Sequence, residues 1–550
     1  MKRSTGLIAT STLLTLTLMG GNALAQSITA GEAAQIDEGF RIFNEETFEG
    51  NGRTCGTCHV PSQQYSIGPD FIWTLKKDEL NLVVASNVPG LENPTLTQEL
   101  ALFNTGPGVA TIEFPEGPFR SAQQITALDV TTLDFRGVRQ MLGWDGTGSP
   151  NDGFHHGNVD LNADGSIRAF ANGAIAQHFT SSLNRVAKTT ACPDLDVNDP
   201  DAECDQPYDF RFATDAELDA MDAFQRWLGR RAAEGTPSCG SSSAGTPRCT
   251  EEYIANLDTG SKGEYSLVPF DPTVLQSGPA DHEMIFENAI VALGKDIYQS
   301  DEASCFLCHQ NGGAHFGNNG RPHGNLTRNQ GIEEFRFDLI EKTGINIPKD
   351  PGDPFATPAQ PNAMNVQTVI EAARRDHFGH NNAIMGFETM AGEGFHKPFV
   401  RDLDPVLGCD GIGIVGTGAP GREGLVGASN DKHADSEECL EAVWGDNAVN
   451  NLAAFMRALS AWYSLRDVER LMRETCDRID LGVATDVSVM EADFALEDVA
   501  TAIRGSKATP RPHAWMTGKA TRLQQELKRA AEKQDKRALK SIFEDAQAMR

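Results

Sequence analysis

Apolar residues along this chain recur mostly at intervals of three and four, the repeat of a helix that buries one face. Ala33, Ile36, Phe40 and Phe43 form such a stripe near the N-terminus and predict an amphipathic helix leading toward Cys55. A related run, Gly294-Lys295-Asp296-Ile297-Tyr298, precedes Cys305 as Gly39-Phe40-Arg41-Ile42-Phe43 precedes Cys55. Farther on, Ala223-Phe224-Gln225-Arg226-Trp227-Leu228 matches Ala454-Phe455-Met456-Arg457-Ala458-Leu459. Between these marks, Gly143-Trp144-Asp145-Gly146 corresponds to Gly379-His380-Asn381-Asn382. One unit is therefore expected twice in tandem, each copy mostly α-helical, with long irregular loops walling a pocket.

The first copy is assigned to residues 26–235 and the second to 276–480. Residues 236–275, rich in Gly, Ser and Pro, form the linker between them. Gly39 and Gly294 would permit close helix crossing, at some cost in helix propensity. Gly408 to Ser429 reads as a Gly-rich loop inserted in the second copy. Residues 481–550 form a C-terminal tail, which beyond 510 carries ten Lys or Arg against five acids. Leu523, Leu527, Leu539, Ile542 and Phe543 predict a basic amphipathic helix there, either docked on the acidic body or held out for a partner.

Length and charge narrow the functional classes. The 550 residues allow about two to four domains. With 47 basic and 77 acidic residues the net charge is −30, which argues against nucleic-acid binding and suits attraction of a cationic protein partner. Met1-Lys2-Arg3, the apolar stretch Leu7 to Met19 and Ala23-Leu24-Ala25 have the layout of a cleaved secretory signal, residues 1–25. The mature chain is then expected to be periplasmic or secreted, with no membrane span. Of the 11 cysteines, Cys192 with Cys204, Cys239 with Cys249, and Cys409 with Cys439 bracket loops and suit disulfides, leaving Cys476 over.

The remaining four cysteines carry the chemistry. Cys55-Gly56-Thr57-Cys58-His59 and Cys305-Phe306-Leu307-Cys308-His309 are two C-x-x-C-H strings. In an exported chain this is the attachment site of a c-type haem. One helical turn presents two thiols to the two vinyl groups, and the adjacent His becomes the proximal iron ligand. Two covalently bound haem c groups are therefore expected. A thiol–disulfide site would want a βαβ setting, and a zinc site a second ligand pair at short spacing; neither pattern follows the strings.

The two copies differ where a second axial ligand would come from. Copy two has His380, with His377 close before it, whereas copy one has Trp144, and indole does not bind iron. The first haem is thus expected open or weakly closed, and the second closed by His380 or His377, unless those rings line the pocket wall instead. Met141, His155, His156 and His178 are further candidates in copy one. His178 suits a distal acid–base residue, a ligand or a structural ring; Trp144 suits an electron step between haems or a core residue. Asp160-Leu161-Asn162-Ala163-Asp164-Gly165 begins like a Ca2+ loop, but its twelfth position is Ala171 rather than Glu, and a polar surface turn is the other reading.

Taken with Phe355-Ala356-Thr357-Pro358 and the segment Asn365 to Asn382, these strings resemble the bacterial di-haem cytochrome c peroxidases and the related di-haem MauG and rubber-oxygenase proteins. The likeness runs from about residue 30 to 470, and Gly143–Gly146 is similar to the family's F-W-D-G-R. The resemblance implies two cytochrome c-like haem domains: an N-terminal haem that meets peroxide or O2 and a C-terminal haem that relays electrons. It also implies a small periplasmic electron-donor protein, a cytochrome or a cupredoxin. Gly379 stands where the family has a Met or Tyr ligand, and Leu142 and Thr147 replace a Gln-type residue and an Arg. Oxygenase chemistry and pure electron transfer therefore stay open beside peroxidase chemistry.

Overall fold

Reciprocal hydrogen bonds open the first helix, α1 (Ala30–Glu45). The Thr29 hydroxyl accepts from the Glu32 amide at 3.2 Å, and the Glu32 carboxylate accepts from the Thr29 amide at 3.0 Å. The computed structural model describes residues 28–104, 135–137, 167–196, 198–199, 202–233, 289–299, 443–505 and 510–549. Short pieces at 327–328, 343–345, 364–365, 377–378 and 384–385 are described as well. Of these residues 68% are helical, as the apolar periodicity requires.

Four short helices follow α1: α2 (Cys55–Cys58), α3 (Pro69–Ile72), α4 (Lys77–Val83) and α5 (Pro94–Leu100). Then come α6 (Ile167–His178), α7 (Lys188–Ala191), α8 (Asp215–Ala233) and α9 (Ala289–Gln299). The C-terminal part holds α10 (Ala448–Leu481), α11 (Asp486–Gly505), α12 (Pro510–Glu532) and α13 (Lys536–Met549). Among the described residues, strands form only two-stranded antiparallel ladders, such as Leu102–Asn104 on Phe135–Gly137. No described helix is long and apolar enough to cross a membrane.

Two helix pairs repeat one contact. Where α1 crosses α8, a Cβ on Gly39 would stand 2.6 Å from Phe224 Cβ and inside the radius of the Ala220 carbonyl oxygen. Where α9 crosses α10, a Cβ on Gly294 would stand 2.9 Å from Phe455 Cβ and inside the radius of the Asn451 carbonyl oxygen. In each pair the obstructing carbonyl lies four residues before the Phe, and the aromatic four residues after the Gly packs on that Phe. Phe43 meets Phe224 at 5.5 Å between ring centroids, and Tyr298 meets Phe455 at 5.2 Å. Only glycine permits backbones this close.

The 34-residue α10 is the spine of the C-terminal part. Leu452, Phe455, Leu459, Trp462 and Leu465 on it are fully buried, in one cluster with Phe43 and Phe224 of the first copy. The basic segment beyond 510 forms two helices rather than one. Leu523 and Leu527 of α12 and Leu539 and Ile542 of α13 are buried in that same cluster. Lys519–Asp545 at 2.7 Å ties α12 to α13, and Lys528–Asp493 at 3.0 Å ties α12 to α11. The segment is therefore spent on the protein's own core.

The first and last parts of the chain are joined by buried polar contacts. Trp227 Nε1 on α8 donates to Glu474 on α10 at 2.7 Å. Glu474 also accepts from Arg478 Nε at 2.8 Å, and Arg478 reaches Asp37 on α1 at 2.8 Å. The Cys192–Cys204 disulfide forms with its Cα atoms 5.8 Å apart, as the spacing predicts. Residues 1–25, the 236–275 linker and the pairs Cys239–Cys249 and Cys409–Cys439 lie outside the described residues.

Two predictions follow from this packing. Gly39→Ala and Gly294→Ala should each destabilise the folded chain by about 1–3 kcal/mol, because a methyl must force two backbones apart; denaturant midpoints measure it. The start of α8 gives a pH dependence. Glu217 caps Thr214 and accepts two hydrogen bonds from Arg211, both at 2.8 Å. Burial raises its pKa, but the Arg211 and Thr214 hydrogen bonds and the Arg211 charge outweigh that and hold it below the ordinary 4.5. A depressed carboxylate stabilises above the unfolded value and loses that contribution as pH falls through the folded one. Glu217→Gln should therefore cost about 1 kcal/mol at pH 7, and its gap from wild type should close as pH drops below 4.5.

Candidate functional site

The first C-x-x-C-H string folds as the single turn α2. Thr57 Oγ1 accepts from the Thr54 amide at 2.9 Å to start it, and the His59 amide donates to the Cys55 carbonyl at 2.9 Å to close it. Cys55 and Cys58 thus stand one turn apart, both half-buried and both unbridged. Cys55 packs on the cluster holding Phe43 and Phe224, and also on the one holding Ile42, Ile175 and Phe210. Cys58 packs on Ile67, Ile72, Val83 and Phe103. The turn therefore lies at the junction of three apolar clusters.

After the string the chain reverses. Pro61–Gln63 makes a 3-10 turn, and Gln64 and Tyr65 both take left-handed backbone, with φ of 58° and 55°. Side chains larger than Asn seldom adopt that region, and two in succession mark a local cost held by the surroundings. The reversal brings the Tyr65 carbonyl to 2.8 Å from His59 Nδ1. A carbonyl only accepts, so Nδ1 carries a proton, and in the neutral ring Nε2 carries the lone pair. That is the tautomer of a histidine that binds iron through Nε2, with its ring oriented by a backbone partner.

The thiols are electrostatically quiet. Burial pushes Cys55 up to about 12, helped by Cys58, and burial pushes Cys58 up to about 11 against the pull of Arg53. A thiol–disulfide centre or a zinc thiolate needs the opposite, a stabilised anion. Protonated thiols beside an Nδ1–H histidine suit covalent attachment of a haem at Cys55 and Cys58, with His59 as its ligand.

Arg53 shapes the floor of the site. It is 2% exposed and paired with fully buried Glu92 at 3.0 Å; it also donates to the carbonyls of Leu82, Val83 and His178. Glu92 in turn accepts from the Asn104 amide at 2.6 Å. Burial raises the Glu92 carboxyl against the lowering effect of Arg53. This pair fixes the end of α6, where His178 stands. Burial, then the charges of Arg53, Arg185 and His59, push His178 down to about 3. His178 is thus neutral at physiological pH and within electrostatic reach of His59. As a neutral ring it offers a lone pair to a hydrogen bond or a metal, resists protonation, and holds no imidazolium proton to donate.

Trp144, Met141, His155, His156, Cys305, Cys308, His309, His380 and the Asp160–Gly165 Ca2+ loop lie outside the described residues. At His377 the backbone alone is described: His377–Phe378 pairs antiparallel with Ile384–Met385, so this stretch is extended rather than helical. Tyr65, Arg53 and Glu92 were not singled out by sequence reasoning. The one local signal for them is an Arg two positions before the string and an aromatic six after its His. No protein-family model and no curated protein matches the chain.

Raised thiols have a direct chemical readout. In haem-free protein, iodoacetamide should alkylate Cys55 and Cys58 about 100- to 1000-fold more slowly at neutral pH than in denaturant, since the thiolate falls tenfold per unit of pKa rise. Peptide mass spectrometry of each Cys measures it; alkylation as fast as in the unfolded chain would show the thiols to be ionised.

Proposed function

We propose that the protein is an exported di-haem c-type cytochrome that acts as a peroxidase-like oxidoreductase. The observation that carries this reading is the His59 Nδ1–H bond to the Tyr65 carbonyl, beside two unbridged, protonated thiols one turn apart. Cys55 and Cys58 would form the thioethers and His59 would ligate the iron; Cys305, Cys308 and His309 would do the same in the second copy. The repeated glycine crossing, Gly39 on Phe224 and Gly294 on Phe455, supports two cytochrome c-like modules around the two strings. A bound haem supplies one-electron chemistry, and with an open sixth position it binds peroxide or O2.

The chain's own residues then divide the work. Tyr65 orients His59, and Arg53 with Glu92 holds the backbone of His178 near that ring. Neutral His178 would face the first module as a hydrogen-bond acceptor toward peroxide, its depressed pKa making it a weak base. His380 or His377 would close the second, electron-relaying module, and Trp144 would lie between the two as an electron step. The net charge of −30 would steer a cationic donor, a small cytochrome or cupredoxin, toward the surface. A Ca2+ ion at Asp160–Gly165 belongs to the same proposal.

One observation favours a second reading. His178 is neutral and near His59, which also suits a second axial ligand, and hence a closed electron carrier without turnover. Protein matured in a periplasm should carry two haems per chain by pyridine haemochrome assay, and the Cys55→Ala/Cys58→Ala variant should carry one. The peroxidase reading expects a high-spin ferric signal that shifts with cyanide, and peroxide-dependent oxidation of a ferrocytochrome. Two inert low-spin haems and no turnover, before and after prereduction, would leave the carrier reading in its place.

A further inference from the structure

Tyr65 is held at both ends. Its backbone carbonyl accepts from His59 Nδ1, and its phenol donates to Glu491, a residue of α11 that lies 426 positions downstream. Both side chains are shut away from water: Tyr65 is 0% exposed and Glu491 2%. The phenol ring is wedged between Phe43 at 5.9 Å and Phe224 at 6.0 Å, and Phe43 also lies 6.1 Å from the His59 ring. The backbone of Tyr65 is left-handed, a conformation that relaxes unless its surroundings fix it.

We propose that Glu491 is a positioning residue for His59, acting through Tyr65, so that the C-terminal helices tune the first haem site. The proposal rests on the haem reading above. The carboxylate anchors the phenol; the anchored ring keeps the strained turn from relaxing; the turn holds the carbonyl on Nδ1–H. A firm hydrogen bond at Nδ1 raises the basicity of Nε2, and a more basic ligand favours the oxidised iron.

The test uses the full-length, haem-loaded protein and spectroelectrochemical titration of both haems. Tyr65→Phe deletes only the hydroxyl, and Glu491→Gln keeps the shape of the side chain. Each should favour reduction of one haem about tenfold, a rise of about 59 mV for one electron, and leave the other haem unmoved. The double variant should rise no further than either single one, since both cut the same chain of contacts. Asp498→Asn, which neutralises another buried carboxylate of α11, should titrate as wild type. Unchanged potentials in both single variants, additive shifts in the double, or an equal rise in Asp498→Asn would overturn the proposal. If Glu491→Gln fails to fold, Tyr65→Phe decides alone: a wild-type potential rejects it. A wild-type protein with fewer than two haems would instead sink the underlying reading, and the haem count reports that separately.

Discussion

The crossing of α1 and α8 at Gly39 is the constraint on which the first site depends. No side chain fits between the two backbones there, so the helices approach until Phe43 and Phe224 touch. That contact sets the wall against which the Tyr65 ring rests, and Tyr65 in turn fixes His59. A wider crossing would loosen the wall first, then the strained turn, then the imidazole. The cost of a glycine in a helix, about 1 kcal/mol relative to Ala, is offset by the packing of three aromatic rings.

Part of this was legible in the sequence because it is local. The C-x-x-C-H spacing needs only one helical turn, and the structure supplies it at Cys55–Cys58. The Ala33 to Phe43 stripe and the Ala223 to Leu228 run are periodic, and both lie on helices. The Cys192–Cys204 loop is short, so its two cysteines lie within easy reach of each other, and they pair. What could not be read was set by partners far away along the chain. Tyr65 looks like any loop aromatic until Glu491 is seen to meet it, and Arg53 like a solvated charge until Glu92 buries it. The tail beyond 481 carries a helical pattern, but periodicity does not reveal the break between α12 and α13 or which surface they cover.

The buried charges explain how such an acidic chain joins its first and last parts. Glu474 is shared by Trp227, Arg470 and Arg478, and Arg478 also grips Asp37. Ion pairs of this kind add little net stability, because desolvation consumes most of the Coulomb gain. Their value lies in register. A slide of α10 by one residue would leave these charges buried without partners, which costs several kcal/mol. The apolar cluster that spans α1, α8 and α10 tolerates many packings; the polar contacts select one of them.

Selection of register matters most at the site itself. The field there disfavours charge: both thiols stay protonated and His178 stays neutral. Arg53 is a buried charge admitted there, and Glu92 compensates it. Such surroundings suit a large apolar ring system held by covalent bonds, with neutral His178 and the Nδ1–H imidazole of His59 beside it. In the proposed haem site, His178 would either close the metal as a second ligand or stand beside an open position. The Arg53 bond to the His178 carbonyl ties the end of α6 to the buried Arg53–Glu92 pair, so the residue's backbone is fixed by the same ion pair that forms the floor.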